Sequence, residues 1–204
     1  MSILKSFIVF EGLDGAGTTT QARNLARYYE FNSRAYFATA EPTSNPIGKL
    51  VREVLQKKVT TTPEALAYLY AADRSDHLYN PTYGIARILQ EGRIVISDRY
   101  FYSSLAYQGV ECDIDLVRTI NAFPHPEALI FIDTPVEDCL ERIERRGEEK
   151  ELFDRENFLR AVRNNYLEEL KRLPDEVNVL VVDGRKSIEE TESEIRRFLS
   201  SISL

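Results

Sequence analysis

One stretch near the start of the chain decides the fold: Phe7-Ile8-Val9-Phe10-Glu11-Gly12-Leu13-Asp14-Gly15-Ala16-Gly17-Thr18-Thr19-Thr20-Gln21. Its four leading apolar residues predict a short buried strand. After the glycines comes a helical pattern whose apolar face consists of Ala22, Leu25, Ala26 and Tyr29. Strand, Gly-x-x-x-x-Gly and helix in this order are the structural context of a phosphate-binding loop. We therefore predict that the turn between strand and helix binds phosphate.

The chemistry of this loop suits an anion. Gly12, Gly15 and Gly17 permit backbone conformations that residues with a Cβ resist, so successive N–H groups can turn toward one phosphate. The start of the helix adds unpaired N–H groups and the positive end of the helix dipole. Thr19 stands where the hydroxyl of such a loop reaches Mg²⁺. The predicted nucleotide-binding residues of the loop are Gly12, Gly15, Ala16, Gly17, Thr18, Thr19 and Thr20.

One position departs from the usual pattern of the loop. The pattern is Gly-Lys-[Ser/Thr], and Thr18 occupies the position of the lysine. On the loop alone, a glycine-rich strand-to-helix turn without a ligand therefore stays open as an alternative. The rest of the chain has to decide between the two.

Composition narrows the class of protein. With 204 residues, 43% of them hydrophobic, residues 1–204 are expected to form a single domain. The net charge of −7 argues against a general surface for nucleic acid or for an anionic membrane. Cys112 and Cys139 lack metal-ligand spacing and fit reduced, buried thiols. Because no apolar run approaches about 18 residues and the start lacks the apolar segment of a signal peptide, we predict a soluble cytoplasmic protein.

Short apolar strands separated by helix-length segments follow the loop. They are predicted at residues 35–38, 93–98, 128–133 and 177–183, and the last three end on Asp98, Asp133 and Asp183. Strands of this kind indicate a three-layer α/β fold, with a five-stranded parallel sheet covered by helices on both faces. The carboxyl ends of parallel strands share one edge, where ligands bind. We expect the phosphate loop and the three aspartates there.

Helix signals occupy the segments between the strands. A proline at a first-turn position predicts a helix over residues 46–56, and a cap, a proline and an acid at Thr62-Pro63-Glu64 start another that continues to about residue 77. A further helical segment ends at Gly92. Three later stripes of apolar residues predict helices that pack on the core. His77 and His125 have no metal-ligand partner at useful spacing, so we interpret both as structural or surface residues.

The sequence Asp98-Arg99-Tyr100 follows the third predicted strand. A carboxylate that leaves a buried strand opposite a phosphate loop is placed to hold a magnesium-bound water. Arg99 offers a planar guanidinium that can bind a phosphate through two hydrogen bonds. The alternative is a local ion pair between Asp98 and Arg99 with a structural role only.

Two further segments carry functional hypotheses. Tyr70 and Arg74 lie four residues apart and share one helix face, so they could stack on a base and hydrogen-bond to it, although exposed helices carry such pairs by chance. Residues 142–150 continue an amphipathic helix into a glycine and a charged segment. This segment is either a solvated surface or part of a lid, over approximately residues 142–154, whose arginines close over phosphates.

Together these motifs resemble those of the thymidylate kinase family, and the resemblance covers nearly the whole chain. The matching segments are residues 10–17, 70–74, 98–100 with 103–109, the lid at 142–147, and 182–184 with 187–190. The block from Asp98 to Gly109 is the most specific, since CMP, adenylate and shikimate kinases do not carry it. The resemblance implies ATP-dependent transfer of a phosphoryl group to dTMP, assisted by Mg²⁺, and suggests a homodimer. Because of the charge and composition of the chain, we expect no nucleic-acid or membrane partner.

The resemblance also implies roles for individual residues. The implied acceptor contacts are Asp14 at the deoxyribose 3′-hydroxyl, Tyr70 on the thymine face, Arg74 at a base carbonyl, Ser104 at the base edge, Tyr107 at the sugar 2′ position, Gln108, and Arg99 on the monophosphate. The implied donor contacts are those of the loop together with Arg142 and Asp183, and the implied metal contacts are Thr19 and Asp98. The implied catalytic residues are Asp14, Arg99, Arg145 and Arg146.

Two departures from the family pattern affect the hypothesis. Many relatives carry an arginine before the Glu-Pro turn, where this chain has Ala40, and Arg52 is our candidate substitute. The family places its catalytic arginine either in the loop or in the lid, and Gly15 at the loop position indicates the lid class.

The second departure is Thr18 at the lysine position. A hydrogen bond to a charged group contributes ~1.5–3 kcal/mol, so losing the lysine would cost tens- to hundreds-fold in rate unless another cation replaces it. Because phosphoryl transfer depends on summed positive charge, we expect the lid arginines to compensate for Thr18.

Two alternatives stay open beside this hypothesis. The first keeps the fold and changes the acceptor to dUMP, another nucleotide or a deoxynucleoside. The second is a nucleotide-binding regulator that lost catalysis together with the lysine. A GTPase switch is disfavoured, because the chain has no Asn-Lys-x-Asp sequence.

Overall fold

The computed structural model describes the backbone of residues 2–145 and 152–204, and the side chains of residues 2–145 and 156–204. The strands are β1 (Ile3–Gly12), β2 (Tyr36–Ala40), β3 (Ile94–Asp98), β4 (His125–Asp133) and β5 (Asn178–Asp183). The helices are α1 (Thr18–Phe31), α2 (Pro46–Leu55), α3 (Pro63–Tyr79), α4 (Ile85–Gln90), α5 (Phe101–Glu111), α6 (Ile114–Ile120), α7 (Val136–Glu144), α8 (Leu152–Leu170) and α9 (Ile188–Ser201). Arg146 and the centre of the predicted lid lie outside the described residues.

The strands form one parallel sheet of five, in the order β2-β3-β1-β4-β5. Strand β1 lies at its centre, and residues 7–10 of this strand are 0% exposed, as expected for a strand covered on both faces. In the register, Phe10 lies opposite Asp98 of β3, and Gly12 lies opposite Ile132 of β4. The predicted α/β class is confirmed, and the phosphate loop lies at the carboxyl edge between two other strand ends.

Two strands are longer than the apolar pattern predicts. Strand β1 begins at Ile3 and β4 at His125, and they pair from Ile3 opposite His125 onward. The pairing register shifts between Leu4 and Ile8, where Ser6 has a φ of 60°. Because this part of the strand contains polar side chains and a bulge, it has no continuous apolar run and the apolar pattern does not predict it.

The helix starts follow their capping signals. Thr62 caps α3 by accepting a hydrogen bond from the Ala65 N–H at 3.2 Å, with Pro63 in the first turn. Ser187 and Glu190 form a capping box at the start of α9. Helix α5, which the sequence analysis does not delimit, carries the block from Ser103 to Gly109.

Helices α7, α8 and α9 pack most of the predicted apolar stripes against a core shared with the strands, but Ile188, predicted in the stripe of α9, is 51% exposed because it lies at the first turn of that helix. Cys139 is fully buried, whereas Cys112, predicted to be buried, is half-exposed; both thiols are free. His77 hydrogen-bonds to Thr39 and Glu41, and His125 hydrogen-bonds to Tyr102, which fits structural roles. Within the described ranges, no helix is both long enough and apolar enough to cross a bilayer.

Candidate active site

The phosphate loop connects β1 to α1 and has the backbone that its glycines permit. Gly15 has a φ of +86° and Gly17 a φ of +104°, both in the left-handed region. A Cβ on Gly15 would lie 2.7 Å from the Cys139 carbonyl oxygen, so this position has no room for the arginine that some relatives carry. A Cβ on Gly17 would meet nothing within 4 Å. In the described part of the chain, no side chain caps α1 at Gly17, which leaves the first N–H groups of the helix available to an anion.

Thr18 does not face open space. It is 5% exposed, and its Cγ2 lies 3.1 Å from the position that a Cβ on Gly12 would take. Its side chain therefore packs against the end of β1 inside the loop. This threonine supplies no positive charge, and any replacement for the lysine must come from another element.

Thr19 and Asp98 lie together, as predicted for a magnesium site. The Thr19 hydroxyl donates a hydrogen bond to Asp98 Oδ2 at 2.5 Å. Asp98 Oδ1 is buried and has no hydrogen-bond partner among the described residues. No group of three or more His, Cys, Asp or Glu side chains in those residues could hold a metal ion alone. This arrangement fits Mg²⁺, which prefers one or two protein ligands together with substrate phosphates and water.

Arg99 contacts the phosphate loop rather than its neighbour Asp98. Its Nη2 donates to Asp14 Oδ1 at 2.7 Å, and its Nη1 donates to Ser103 Oγ at 3.0 Å and to the Tyr166 hydroxyl at 3.3 Å. Its backbone has a φ of 76°, which is uncommon for a residue with a side chain, and its N–H donates to the Phe10 carbonyl at 2.9 Å. The alternative of a purely local ion pair between Asp98 and Arg99 is wrong, because the two side chains have separate partners.

An open cavity of about 410 Å³ lies beside Arg99. Its lining includes seven residues predicted to bind the acceptor, namely Asp14, Arg52, Tyr70, Arg74, Arg99, Tyr107 and Gln108. The lining also includes residues that were not predicted to bind a ligand, namely Glu41, Pro42, Leu55, Leu66, Tyr100, Ser103, Glu111 and Phe158. These additional residues come from six parts of the chain: the turn after β2, α2, α3, the turn after β3, α5 and α8.

Aromatic side chains and Arg52 shape the walls of this cavity. The Tyr107 hydroxyl accepts a hydrogen bond from the Asp14 N–H at 2.8 Å, and its ring lies 5.2 Å from the guanidinium of Arg99. Burial raises the pKa of Tyr70 to about 12, so its phenol is a neutral aromatic plane at pH 7. Arg52 donates to the Pro42 carbonyl oxygen at the cavity edge.

Arg74 is held by a buried polar network. Its Nε donates to Glu41 Oε2 at 2.7 Å, its Nη1 donates to Asn121, and its Nη2 donates to Ser104 Oγ at 3.1 Å. The Arg74 side chain is 1% exposed and that of Glu41 is 3% exposed. Ser104, predicted at the base edge, lies behind Arg74 and fixes its guanidinium.

We expect Glu41→Gln to lower the free energy of unfolding by about 3–5 kcal/mol, because it leaves the buried Arg74 guanidinium without its counter-charge. Urea denaturation followed by circular dichroism measures this change. The matched control is Glu91→Gln, which removes an exposed ion pair with Arg87 and should cost less than about 1 kcal/mol. Equal losses in the two variants would contradict the importance of the buried pair.

A second cavity of about 260 Å³ opens on the other side of the phosphate loop, beside Gly15, Ala16, Gly17 and Thr20. Arg142 forms part of its wall and donates to the carbonyl oxygens of Gly15 at 3.2 Å, Ala16 at 3.3 Å and Gly184 at 2.8 Å. This arginine joins α7 to the loop and to the turn after β5. The remaining lining consists of Gln21, Ile132, Gly184, Lys186, Ile188 and Thr191, none of which the sequence analysis assigned as a binding residue.

Gln21 contributes a polar side chain to the lining of this second cavity. Its Nε2 donates to the Ile188 carbonyl at 3.0 Å, and its buried Oε1 has no partner among the described residues. Lys186 lies nearby and pairs with Glu194 at 2.5 Å. An acceptor oxygen and a cation beside a phosphate loop suit a nucleotide.

Three remaining predicted positions lie at the margins of the site. Asp183 ends β5, is exposed, and accepts hydrogen bonds from the backbone and side chain of Arg185. Asp133, at the corresponding end of β4, is bound by Arg163 through two hydrogen bonds of 2.7 and 2.8 Å. The Arg145 side chain is 69% exposed and pairs with Glu141, and Arg146 lies outside the described residues.

Comparisons with known proteins agree with this geometry. The family model "Thymidylate kinase" matches residues 10–195. The chain is 41% identical over 203 residues to a putative thymidylate kinase of Treponema pallidum, a match that covers 98% of this chain and 97% of the relative. It is 39% identical to a probable thymidylate kinase of Pyrococcus horikoshii, with 93% of each chain covered, and 38% identical to one of Methanocaldococcus jannaschii, with 96% of each covered.

Proposed function

The chain belongs to the thymidylate kinase family, and we propose that it transfers the terminal phosphoryl group of ATP to dTMP, giving dTDP, without a lysine in its phosphate loop. The observation that carries this proposal is the position of the two cavities. Asp14 lines one of them, and Gly15, the next residue, lines the other. A donor nucleotide and an acceptor nucleotide bound in these cavities would approach each other at the loop, as in-line transfer requires.

The proposed role of Arg99 is to bind and orient the acceptor phosphate. Its guanidinium lines the acceptor cavity, and Asp14 on the loop pairs with it at 2.7 Å. A guanidinium can bind two phosphate oxygens at once and stabilise the charge that spreads over them during transfer. Asp14 would also meet the deoxyribose 3′-hydroxyl, as the resemblance implies.

The loop and the metal residues would act on the donor. The free N–H groups at the start of α1 would hold the ATP phosphates. Thr19 and Asp98 would hold Mg²⁺ or its bound water, and Asp98 Oδ1 is free to do so among the described residues. Mg²⁺ held by these residues would neutralise negative charge on the phosphates during transfer. Arg142 and Asp183 would lie near the adenosine end of the donor.

The acceptor cavity provides groups suited to a thymine base and a deoxyribose. Tyr70 supplies a neutral plane for stacking, and Arg74 supplies a donor fixed by Glu41. Tyr107, bonded to the loop through Asp14, would crowd the 2′ position and disfavour ribose. Gln108 and Arg52 complete the proposed acceptor contacts.

A coupled ADP-release assay with dTMP, dUMP, CMP and no acceptor tests the proposed function. We expect the highest kcat/KM with dTMP and a rate with CMP close to that without acceptor. Equal rates with dTMP and CMP would remove the thymine assignment. ATP binding without transfer to any acceptor would support the alternative of a nucleotide-binding regulator.

We propose that lid arginines replace the missing lysine; of Arg145 and Arg146, the two predicted to act near the phosphates, the structure describes the side chain of Arg145. Arg145→Ala should lower kcat by about 10- to 100-fold in the natural chain, the value of one hydrogen bond to a charged group. In a Thr18→Lys background the same change should cost less than about 3-fold, because the lysine again supplies the charge. Steady-state kinetics on the four proteins of this cycle measure the coupling.

The matched control for this cycle is Arg87→Ala, which removes another exposed arginine paired with a glutamate four residues away. It should leave kcat unchanged in both backgrounds. Independent effects of Arg145→Ala and Thr18→Lys would show that the charge comes from elsewhere.

The single domain, the cytoplasmic location, the homodimer and the lack of nucleic-acid binding stay predictions from the sequence and the resemblance.

A further inference from the structure

Glu11 is a buried carboxylate that lines neither cavity and has no contact with a proposed substrate position. It lies in β1 directly before the phosphate loop and is 1% exposed. Charged groups are almost never fully buried without partners, because burial removes their hydration. The partners of Glu11 therefore indicate its role.

Four donors surround the two oxygens of this carboxylate. Oε1 accepts the N–H of Tyr100 at 2.8 Å and the N–H of Ser103 at 3.2 Å. Oε2 accepts the Ser103 hydroxyl at 2.5 Å and the Tyr166 hydroxyl at 2.8 Å. Glu11 thus connects the start of α5 to α8 immediately behind Arg99.

The same two hydroxyls are also the acceptors for Arg99. Arg99 Nη1 donates to Ser103 Oγ at 3.0 Å and to the Tyr166 hydroxyl at 3.3 Å. A hydroxyl has one hydrogen and two lone pairs, so it can accept from Arg99 only if its hydrogen points elsewhere. An ionised Glu11 accepts and never donates, and its Oε2 can accept both hydroxyl hydrogens, in competition with a hydrogen bond between the two hydroxyls, whose oxygens lie 2.9 Å apart.

We propose that Glu11 is a positioning residue for Arg99: its carboxylate orients the hydroxyls of Ser103 and Tyr166 so that both accept from the guanidinium. This inference rests on the proposed function, because it assigns to Arg99 the binding of the acceptor phosphate. With Nη1 held by the two hydroxyls and Nη2 held by Asp14, the plane of the guanidinium is fixed beside the acceptor cavity. Because the guanidinium is already held in place, binding of the acceptor does not cost the free energy of ordering this side chain.

The charge state of Glu11 gives the inference a second consequence. Burial raises the pKa of Glu11 to about 7, and the positive charge of Arg99 together with its hydrogen bonds opposes this shift. The charged or titratable groups that face it are Arg99 in the turn after β3, Tyr102 of α5 and Tyr166 of α8, while Phe131 opposite it on β4 is apolar. Below pH 7 a protonated Glu11 would donate to one hydroxyl, whose hydrogen must then turn away from Oε2, so the hydrogen bonds that Arg99 Nη1 donates to the two hydroxyls would weaken.

The test compares Glu11→Gln with Glu127→Gln, which changes a carboxylate of β4 that binds Lys5 and the Ser6 N–H away from both cavities. The side-chain amide introduced by Glu11→Gln carries two hydrogens and would reverse one hydroxyl at every pH. We expect Glu11→Gln to raise both the KM and the calorimetric Kd for dTMP by about 10-fold or more, with the KM for ATP within about 2-fold of the natural value. Glu127→Gln should change none of these constants.

The pH profile of kcat/KM for dTMP provides a readout that a merely structural role would not move. The kcat/KM of the natural enzyme divided by that of Glu11→Gln should be largest at about pH 8.5 and fall toward about pH 6. The acceptor phosphate itself titrates near a pKa of about 6. Because this titration affects both proteins equally, it cancels in the ratio. Tyr166→Phe removes one acceptor of Arg99 and keeps Glu11, so it should raise the KM for dTMP less than Glu11→Gln does. If Glu11→Gln does not fold, Tyr166→Phe alone decides.

The outcomes separate this inference from the proposed function. Unchanged KM and Kd for dTMP with a pH-independent ratio in Glu11→Gln, or an unchanged KM in Tyr166→Phe, would overturn the positioning role while leaving the kinase intact. If the natural chain prefers another acceptor in the panel, the same comparison is made with that acceptor. An effect of Glu11→Gln confined to ATP would also contradict the inference.

Discussion

Arg99→Ala is expected to lower kcat/KM for dTMP by about 10³-fold or more, the effect that arginines have when they stabilise transferring phosphoryl groups. The substitution removes the guanidinium that pairs with Asp14 and lines the acceptor cavity. Steady-state kinetics with dTMP as the varied substrate measure the change. Most of the loss should appear in the kinetic constants for dTMP and little in the KM for ATP, because the cavity proposed for ATP lies on the other side of the loop.

Arg99→Lys is the companion variant, since it keeps a positive charge and loses the planar pair of donors. Arg99 uses two separate nitrogens for Asp14 and for the hydroxyls of Ser103 and Tyr166, and lysine has only one, so we expect it to recover only a small part of the lost activity. Thermal melting shows whether both variants keep the fold. Nearly natural activity in folded Arg99→Ala would remove Arg99 from the proposed mechanism.

Asp98→Asn is expected to lower kcat by about 10²-fold and to raise the Mg²⁺ concentration needed for half-maximal activity. Losses of about 10- to 100-fold in activity or metal affinity are typical when a group that supports a metal site is removed. The reason is that Asp98 presents one carboxylate oxygen to Thr19 and has no described partner for the other. Activity titrated with Mg²⁺ at saturating ATP and dTMP measures both changes. The Kd for dTMP should stay the same.

Asp133→Asn is the matched control. Asp133 ends β4 at the same edge of the sheet, but its two oxygens already accept hydrogen bonds from Arg163 Nε and Nη2. This variant should leave the Mg²⁺ dependence unchanged even if it lowers stability. Identical Mg²⁺ curves for Asp98→Asn and the natural chain would contradict the metal assignment of Thr19 and Asp98.

The sequence predicted the sheet and the edge of the site because both follow from local patterns. Apolar runs predicted the strands, and parallel strands must bring Asp98 and the phosphate loop to one edge. The glycine pattern of the loop predicted the backbone at Gly15 and Gly17 for the same reason, since no other residue adopts it as easily.

The partners of the charged groups could not be predicted, because they come from distant parts of the chain. Glu11 interrupts an apolar strand, and its partners stand between 89 and 155 positions later. Spacing suggested an Asp98–Arg99 pair, whereas the turn after β3 directs Arg99 to Asp14. Gln21 and Lys186 meet in one cavity only because α1 and the turn before α9 lie side by side.

The central claim is that the phosphate loop and Arg99 serve one pocket for two nucleotides. A bisubstrate analogue, in which adenosine and thymidine are joined through their 5′ positions by a chain of phosphates, tests it most directly. Calorimetry should give one analogue bound per chain and a Kd at least about 100-fold lower than that of ATP or dTMP alone, since linked ligands in adjoining sites gain this much. A Kd no lower than that of the tighter single nucleotide would contradict the claim.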